Sequence, residues 1–201
     1  MKLYFSPGAC SLSPHIVCRE AGMTPELVKV DLRTKQTQHG DDYFRINPNG
    51  YVPALVLDDG SILTEGPAIV QYLADQVPGK RLAPPNGTME RYRLQSLLNF
   101  ITSELHKSMG VFFNPSANAE WKEAVTGLLH RRLGYVDGLL AQHPYAFGDD
   151  FTVADAYLFT ILSWSKPLKF DLSSWPRLTD YLERIAARPA VQEARRAEGL
   201  L

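Results

Sequence analysis

The spacing of apolar positions changes character along this chain. In the first 77 residues they come in short runs, and beyond residue 88 they recur every three or four positions. Lys2 to Phe5 reads as a short strand, broken at Ser6-Pro7-Gly8. Leu12, Ile16 and Val17 then predict a helix ending at Gly22, with Pro14 in its first turn, where a missing N–H costs nothing. Leu27 to Leu32 predicts a strand with Val28, Val30 and Leu32 on one face. A polar stretch follows, with room for one short helix around Asp41 to Ile46. Two apolar runs, Ala54 to Leu57 and Ser61 to Leu63, flank Asp58-Asp59-Gly60 and predict a hairpin. Gly66-Pro67 opens another helix, with Ile69, Val70 and Leu73 on its apolar side.

That order of elements is the order of a thioredoxin-like domain, assigned to residues 1–77. Gln76 to Thr88 holds three prolines and two glycines without periodicity, so residues 78–88 read as a linker. Residues 89–201 read as all helical. Leu94, Leu97, Leu98, Ile101 and Leu105 form the stripe of one long helix. A second runs from about Glu120 to Gln142, with Trp121, Val125, Leu128 and Leu139 as its apolar residues. Thr152 and Asp155 have the spacing of a capping box, and the helix they start is apolar nearly all round, which predicts the buried centre of this part. A last amphipathic helix spans Pro176 to Arg188 and stops at Pro189. The fold class is therefore α/β followed by all-α.

Composition narrows the function. The chain has 201 residues, 45% hydrophobic and 21% charged, and 21 Lys and Arg stand against 22 Asp and Glu. With no basic block, nucleic acid is not an expected partner. The first residues lack the apolar run of a secretory signal, and no stretch reaches the roughly 20 apolar residues of a membrane span. The expectation is a cytoplasmic protein that does not engage a membrane. Cys10 and Cys18 lie about 12 Å apart at helical rise, beyond the roughly 4.4–6.8 Å a disulfide spans, so they are not expected to pair.

Cys10 carries the strongest chemical signal. A Pro-Gly break precedes it and a helix start follows, where backbone N–H groups favour a thiolate. Cys18 lies inside the helix and reads as a packing residue. Val52-Pro53 precedes a hairpin strand, and its proline marks an edge, a strand start or a cis turn. If cis, it would leave the main chain of Val52 to pair with an extended peptide. Glu65 and Gly66 stand at a helix start, where N–H groups favour a carboxylate and Glu65 can accept from an ammonium. Asn99, Ser103 and His106 are spaced to share one polar, uncharged helix face. No histidine has metal-ligand spacing with either cysteine, so no metal is expected.

Five segments together resemble the cytosolic glutathione transferases, specifically the bacterial beta class. They are Ser6-Pro7-Gly8-Ala9-Cys10-Ser11, Asn49 to Leu55, Leu63 to Ile69, Ser103 to Lys107, and Phe151 to Leu158. The resemblance implies a homodimeric enzyme that conjugates the thiolate of glutathione, its co-substrate, to a small hydrophobic electrophile. It implies that Cys10 lies against the glutathione sulfur and can form a mixed disulfide with it. Val52 would pair with the cysteinyl part of the tripeptide, with Pro53 cis. Glu65 and Gly66 would hold the γ-glutamyl end, and Lys35 the glycyl carboxylate. His106 would act with Cys10 at the sulfur, while Asn99, Ser103 and Glu104 contribute from the same or the partner subunit. Residues around Met109 to Phe113 are candidate electrophile walls. Many relatives have tyrosine where this chain has Phe5, and Tyr4 is expected to pack instead. Two alternatives accompany this reading: a glutaredoxin-like thiol transferase or reductive dehalogenase, and a non-enzymatic glutathione-binding module.

Overall fold

The computed structural model describes residues 1–201, which divide into two compact units. The first comprises Met1–Ala83 with Ala187–Leu201, and the second Pro84–Ala186.

The first unit is built on a five-stranded sheet. Its strands are β1 (Lys2–Phe5), β2 (Glu26–Asp31), β3 (Gln36–Thr37), β4 (Ala54–Val56) and β5 (Ile62–Thr64), in the order β3-β2-β1-β4-β5. β1 pairs parallel to β2, and the other three pairings are antiparallel. The parallel pair needs a crossover. Helix α1 (Leu12–Ala21) supplies it and ends on Gly22 in the left-handed conformation, φ 76°. Helix α2 (Gly66–Asp75) packs against α1. Alternation on β2 buries Val28 and Val30, whereas Leu32 lies past the strand end and is exposed. Tyr43, on the short 3-10 helix Tyr43–Arg45, fills a cluster with Tyr4, Val28, Val30, Val52 and Ala54. Tyr4 is thus a packing residue, its ring centroid 5.6 Å from that of Tyr43.

The second unit is helical. It comprises α3 (Met89–Phe100), a π-helical segment Ile101–His106, α4 (Lys107–Gly110), α5 (Ala119–Leu140), α6 (Val153–Ser163), α7 (Ser165–Leu168) and α8 (Pro176–Ala186). The leucine stripe is inward as expected, with Leu94, Leu98, Ile101 and Leu105 buried. On α5 the buried residues are Leu129, Leu133, Val136 and Leu140, while Trp121 is 46% exposed. Both sets have helical spacing, and contact with α8 selects the second: Asp137 on the same side accepts from Arg177 N at 3.1 Å and Arg177 Nη1 at 2.7 Å. Helix α6 is buried from Val153 to Leu162.

Pro189 stops one helix and starts another. Helix α9 (Pro189–Ala197) has proline in its first turn, where it is well tolerated. It packs on α1, so residues 187–201 belong with the sheet and the expected 89–201 domain is shorter at its C-terminal end. Two side-chain contacts explain the docking. Arg188 makes a two-pronged contact with Glu20 at 2.6 and 3.0 Å, and His15 Nδ1 lies 2.9 Å from Glu198 Oε1 with both side chains fully buried.

The α6 box is the clearest case of a local signal enforced by burial. Asp155 takes hydrogen bonds from Thr152 N (2.8 Å), Ala146 N (2.7 Å) and the Tyr181 hydroxyl (3.0 Å), all buried. Removing the carboxylate strands these three donors, each costing about 1–3 kcal/mol, and a longer contact from the Thr152 hydroxyl at 3.3 Å. Asp155→Ala is accordingly expected to destabilise the protein by about 3–5 kcal/mol, read as a shift in urea midpoint. A loss below about 1 kcal/mol would show that water replaces the carboxylate.

Candidate active site

Within the first unit, the loop between β1 and α1 presents Cys10. Ser11 Oγ closes this loop by accepting from Ser6 N at 3.1 Å and donating to Ser6 O at 3.2 Å. Gly8 turns it with φ 70°, a conformation that glycine adopts without cost. Its N–H donates to Glu198 Oε2 at 2.9 Å, and the Leu200 side chain lies 3.5 Å from where a Cβ would stand. The last residues of the chain therefore grip the loop two positions before Cys10. Nothing local in the sequence connects Glu198 with Cys10, and neither Glu198 nor His15 was expected from it.

Cys10 is partly exposed and Cys18 buried, and both are free thiols. Burial pushes the Cys18 thiol up to about 12, against the pull of Arg19, which leaves it inert. The Cys10 thiol donates to the Val52 carbonyl at 3.1 Å. The expected stabilisation by helix N–H groups is reduced, because Leu12 N and Ser13 N already bond to Ala9 O and Cys10 O. The dipole of α1 still acts there.

The Val52-Pro53 peptide is cis, one of the three alternatives left open by the sequence. Tyr51 O just before it accepts from the Tyr43 hydroxyl at 2.8 Å and Asn47 Nδ2 at 2.7 Å, which holds the segment in place. Lys35 has φ 58° and reaches Gly50 O with Nζ at 2.9 Å, 5.7 Å from the Tyr51 ring centroid. Glu65 has φ 69° and ψ 113°, an outlying conformation for a residue with a side chain, costing about 1–3 kcal/mol. Its exposed carboxylate makes no capping bond to α2. The adjoining Gly66 is buried beside Pro53 and Ser13, each 3.9 Å from its missing Cβ. One edge of the first unit thus gathers Cys10, Val52, Pro53 and Gly66, with Lys35 joined through Gly50.

Within the second unit the candidate residues separate. An α-helix advances about 100° per residue, so Asn99 and His106, seven apart, would share a face. The wider turns of the π-helical segment add the equivalent of one residue. Asn99 and Ser103 remain exposed, and Ser103 Oγ donates to Asn99 O at 3.0 Å. Glu104 is paired with Arg132 at 2.6 Å. His106 turns inward instead. Its Nδ1 lies 2.7 Å from the Tyr157 hydroxyl, and its ring meets the Tyr157 and Trp164 rings edge-on at 5.8 and 5.0 Å. The shared polar face expected from spacing is therefore absent, and Tyr157 and Trp164, which periodicity marked as packing or left unremarked, frame the histidine. A π-turn at a functional residue recurs among proteins, but its sequence resembles any other helix.

Burial, aided by Lys107, lowers the His106 pKa from 6.5 to about 4, so the imidazole is neutral near pH 7. Burial raises the Asp155 carboxyl to about 6, against the donors that pull it down. The two groups have opposite effects on stability. The depressed His106 contributes stability above pH 6.5 that is lost as pH falls through about 4. Asp155 contributes most below 3.8 and loses that contribution as pH rises through about 6.

Two predictions follow from these geometries. The unfolding free energy of wild type relative to His106→Gln should fall by about 3 kcal/mol between pH 6.5 and 4; parallel curves would show that His106 is not buried neutral. Glu198→Ala leaves His15 and Gly8 N–H without their acceptor, at about 1–3 kcal/mol for each stranded donor, and should cost about 2–5 kcal/mol in chemical denaturation. An unchanged midpoint would remove Glu198 as the anchor of the loop.

Comparison with known proteins finds matches along the whole chain. The glutathione S-transferase N-terminal domain matches residues 8–76, and the glutathione S-transferase C-terminal domain matches residues 100–189. Glutathione S-transferase GstA of Escherichia coli O157:H7 is 48% identical over 200 residues, covering 100% of both chains. The solved bacterial beta class glutathione S-transferase of Sphingomonas chungbukensis is 49% identical, with TM-score 0.96 and 100% of both chains covered. A sphingomonad glutathione S-transferase solved in complex with glutathione is 47% identical, with TM-score 0.95 and the same coverage. The chain belongs to the glutathione S-transferase family, alongside its bacterial beta class.

Proposed function

We propose that this protein is a cytoplasmic, homodimeric, detoxifying enzyme that conjugates glutathione to small hydrophobic electrophiles. The observation that carries the reading is the placing of the Cys10 thiol 3.1 Å from the Val52 carbonyl, beside the cis Val52-Pro53 bond. A reactive sulfur there adjoins main chain at which an extended tripeptide can pair. Val52 O has a second lone pair for the cysteinyl N–H of glutathione, beyond the one that Cys10 uses. Glu65 and Gly66 take the γ-glutamyl end, an acceptor for the ammonium and helix N–H groups for the carboxylate. Lys35 takes the glycyl carboxylate, exchanging Gly50 O for a charged partner. Two free cysteines suit a reducing compartment.

The chemical task is to lower a thiol pKa near 8.5 and to orient the thiolate. The glutathione thiolate forms the new carbon–sulfur bond while the leaving group departs with its electron pair. As a neutral imidazole, His106 acts on the sulfur as a hydrogen-bonding group rather than as a cation. Asn99, Ser103 and Glu104 contribute at the margin, and Met109 to Phe113 contact the electrophile.

Cys10 supports a second reaction because it is the exposed thiol of the pair. Its thiolate attacks a glutathione-containing disulfide, forms the Cys10–glutathione disulfide and releases the other thiolate. A second glutathione thiolate then displaces Cys10 and leaves oxidised glutathione. Cys10→Ala should abolish this exchange while keeping a measurable part of conjugation with chlorodinitrobenzene, since glutathione brings its own nucleophile. Loss of both activities would make Cys10 essential to conjugation. Retention on a glutathione resin with neither activity in wild type would favour a binding module.

A further inference from the structure

His106 meets Tyr157 within the second unit, and the chemistry of that contact decides what the histidine offers. Tyr157 is 1% exposed on α6, which the Thr152–Asp155 box and burial hold in register. Its oxygen lies 2.7 Å from His106 Nδ1, a short O–H···N or N–H···O distance. A neutral imidazole carries one proton. If Nδ1 holds it, the ring donates to a phenol oxygen, a weak acceptor, and presents Nε2 as a lone pair. If Nε2 holds it, the phenol donates to an imidazole nitrogen, a better acceptor than a phenol oxygen, and the ring presents Nε2–H. Phenol is the better acid and imidazole the better base, so the second arrangement makes the stronger bond. Burial and Lys107 keep the ring neutral near pH 7, which makes this choice available.

We infer that Tyr157 is a positioning residue: its hydroxyl donates to His106 Nδ1 and holds the imidazole in the Nε2–H form, leaving a hydrogen-bond donor for the glutathione thiolate. The inference rests on the proposed role of His106 at the sulfur. Trp164, edge-on at 5.0 Å, and the π-helical segment restrict the ring to the orientation in which Tyr157 reaches Nδ1. An Nε2–H donor stabilises the thiolate without adding a charge. An Nε2 lone pair would instead take the proton and become an imidazolium, which this buried setting disfavours. Tyr157 thereby sets the histidine to donate rather than to accept, the opposite tautomer from the one that hydrogen-bond acceptors fix in ligand histidines of metal sites.

The test combines nitrogen-15 NMR of the histidine side chains at pH 7 with conjugation kinetics, in wild type, Tyr157→Phe and His106→Ala. His106→Ala identifies the His106 signals. Wild type should show protonated Nε2 and unprotonated Nδ1, and Tyr157→Phe should give a mixture of tautomers. Its kcat should fall about tenfold, with KM for glutathione within about twofold and the melting temperature nearly kept. A merely structural phenol would leave the tautomer unchanged. Protonated Nδ1 in wild type, an unchanged tautomer in Tyr157→Phe, or a changed tautomer with unaltered kcat would each overturn the inference. Full conjugation by His106→Ala would instead overturn the role of His106 on which it rests, and the spectra tell the two failures apart.

Discussion

A carboxylate buried away from water must be met by donors, and in each unit this chain has one that is met by donors distant in sequence. Glu198 takes Gly8 N–H on one oxygen and His15 on the other. Asp155 takes two backbone amides and a tyrosine hydroxyl. Each leaves little freedom, because displacing any one donor strands a buried charge or amide at several kcal/mol. Glu198 fixes the turn that presents Cys10 and brings the C-terminal helix onto α1. Asp155 fixes the start of α6, and through it the position of Tyr157.

The two reactive side chains differ in what surrounds them. Cys10 is held by main chain: a loop closed by Ser11, a carbonyl at the sulfur and a helix beginning two residues later. The dipole of α1 acts on the sulfur from that helix start. His106 is held by side chains, a phenol and an indole, in surroundings that keep it uncharged. A cationic histidine would attract a thiolate from a distance, whereas a neutral one acts only through a directed hydrogen bond. Orientation therefore matters more than charge at this position, and a π-helical segment that re-aims one side chain is consistent with that demand.

Two of the four non-glycine residues with positive φ, Lys35 and Glu65, lie beside this site, and the other two are Arg81 and Lys169. Glu65 departs from the common conformations and Lys35 lies in the left-handed region, although neither is glycine. Both flank the edge that gathers Cys10, Val52 and Gly66. Such residues persist where surrounding structure over-determines them. Here the Lys35 to Gly50 hydrogen bond and the packing of Gly66 beside Pro53 supply that determination. Glu65 makes no cap bond, so its side chain is not engaged in stabilising the helix it precedes.

By itself, the sequence determined whatever depends on neighbours within a turn or two. The break at Ser6-Pro7-Gly8, the helix stop at Gly22, the hairpin at Asp58-Asp59-Gly60 and the Thr152–Asp155 box all rest on backbone geometry that a few residues dictate. Cys10 was legible for the same reason, as a thiol between a turn and a helix start. Tertiary structure alone decided which buried face meets which partner. Periodicity on α5 put forward Trp121, Val125, Leu128 and Leu139, and contact with α8 buried Leu129, Leu133, Val136 and Leu140 instead. It showed that Pro189 ends a helix but not that the next one docks on α1. The direction of His106 depended on a change of helical pitch and on a phenol 51 residues away, and the Cys10 turn on a carboxylate 190 residues from Gly8. Hydrogen bonds select partners by distance in space, and one sequence records spacing only along the chain.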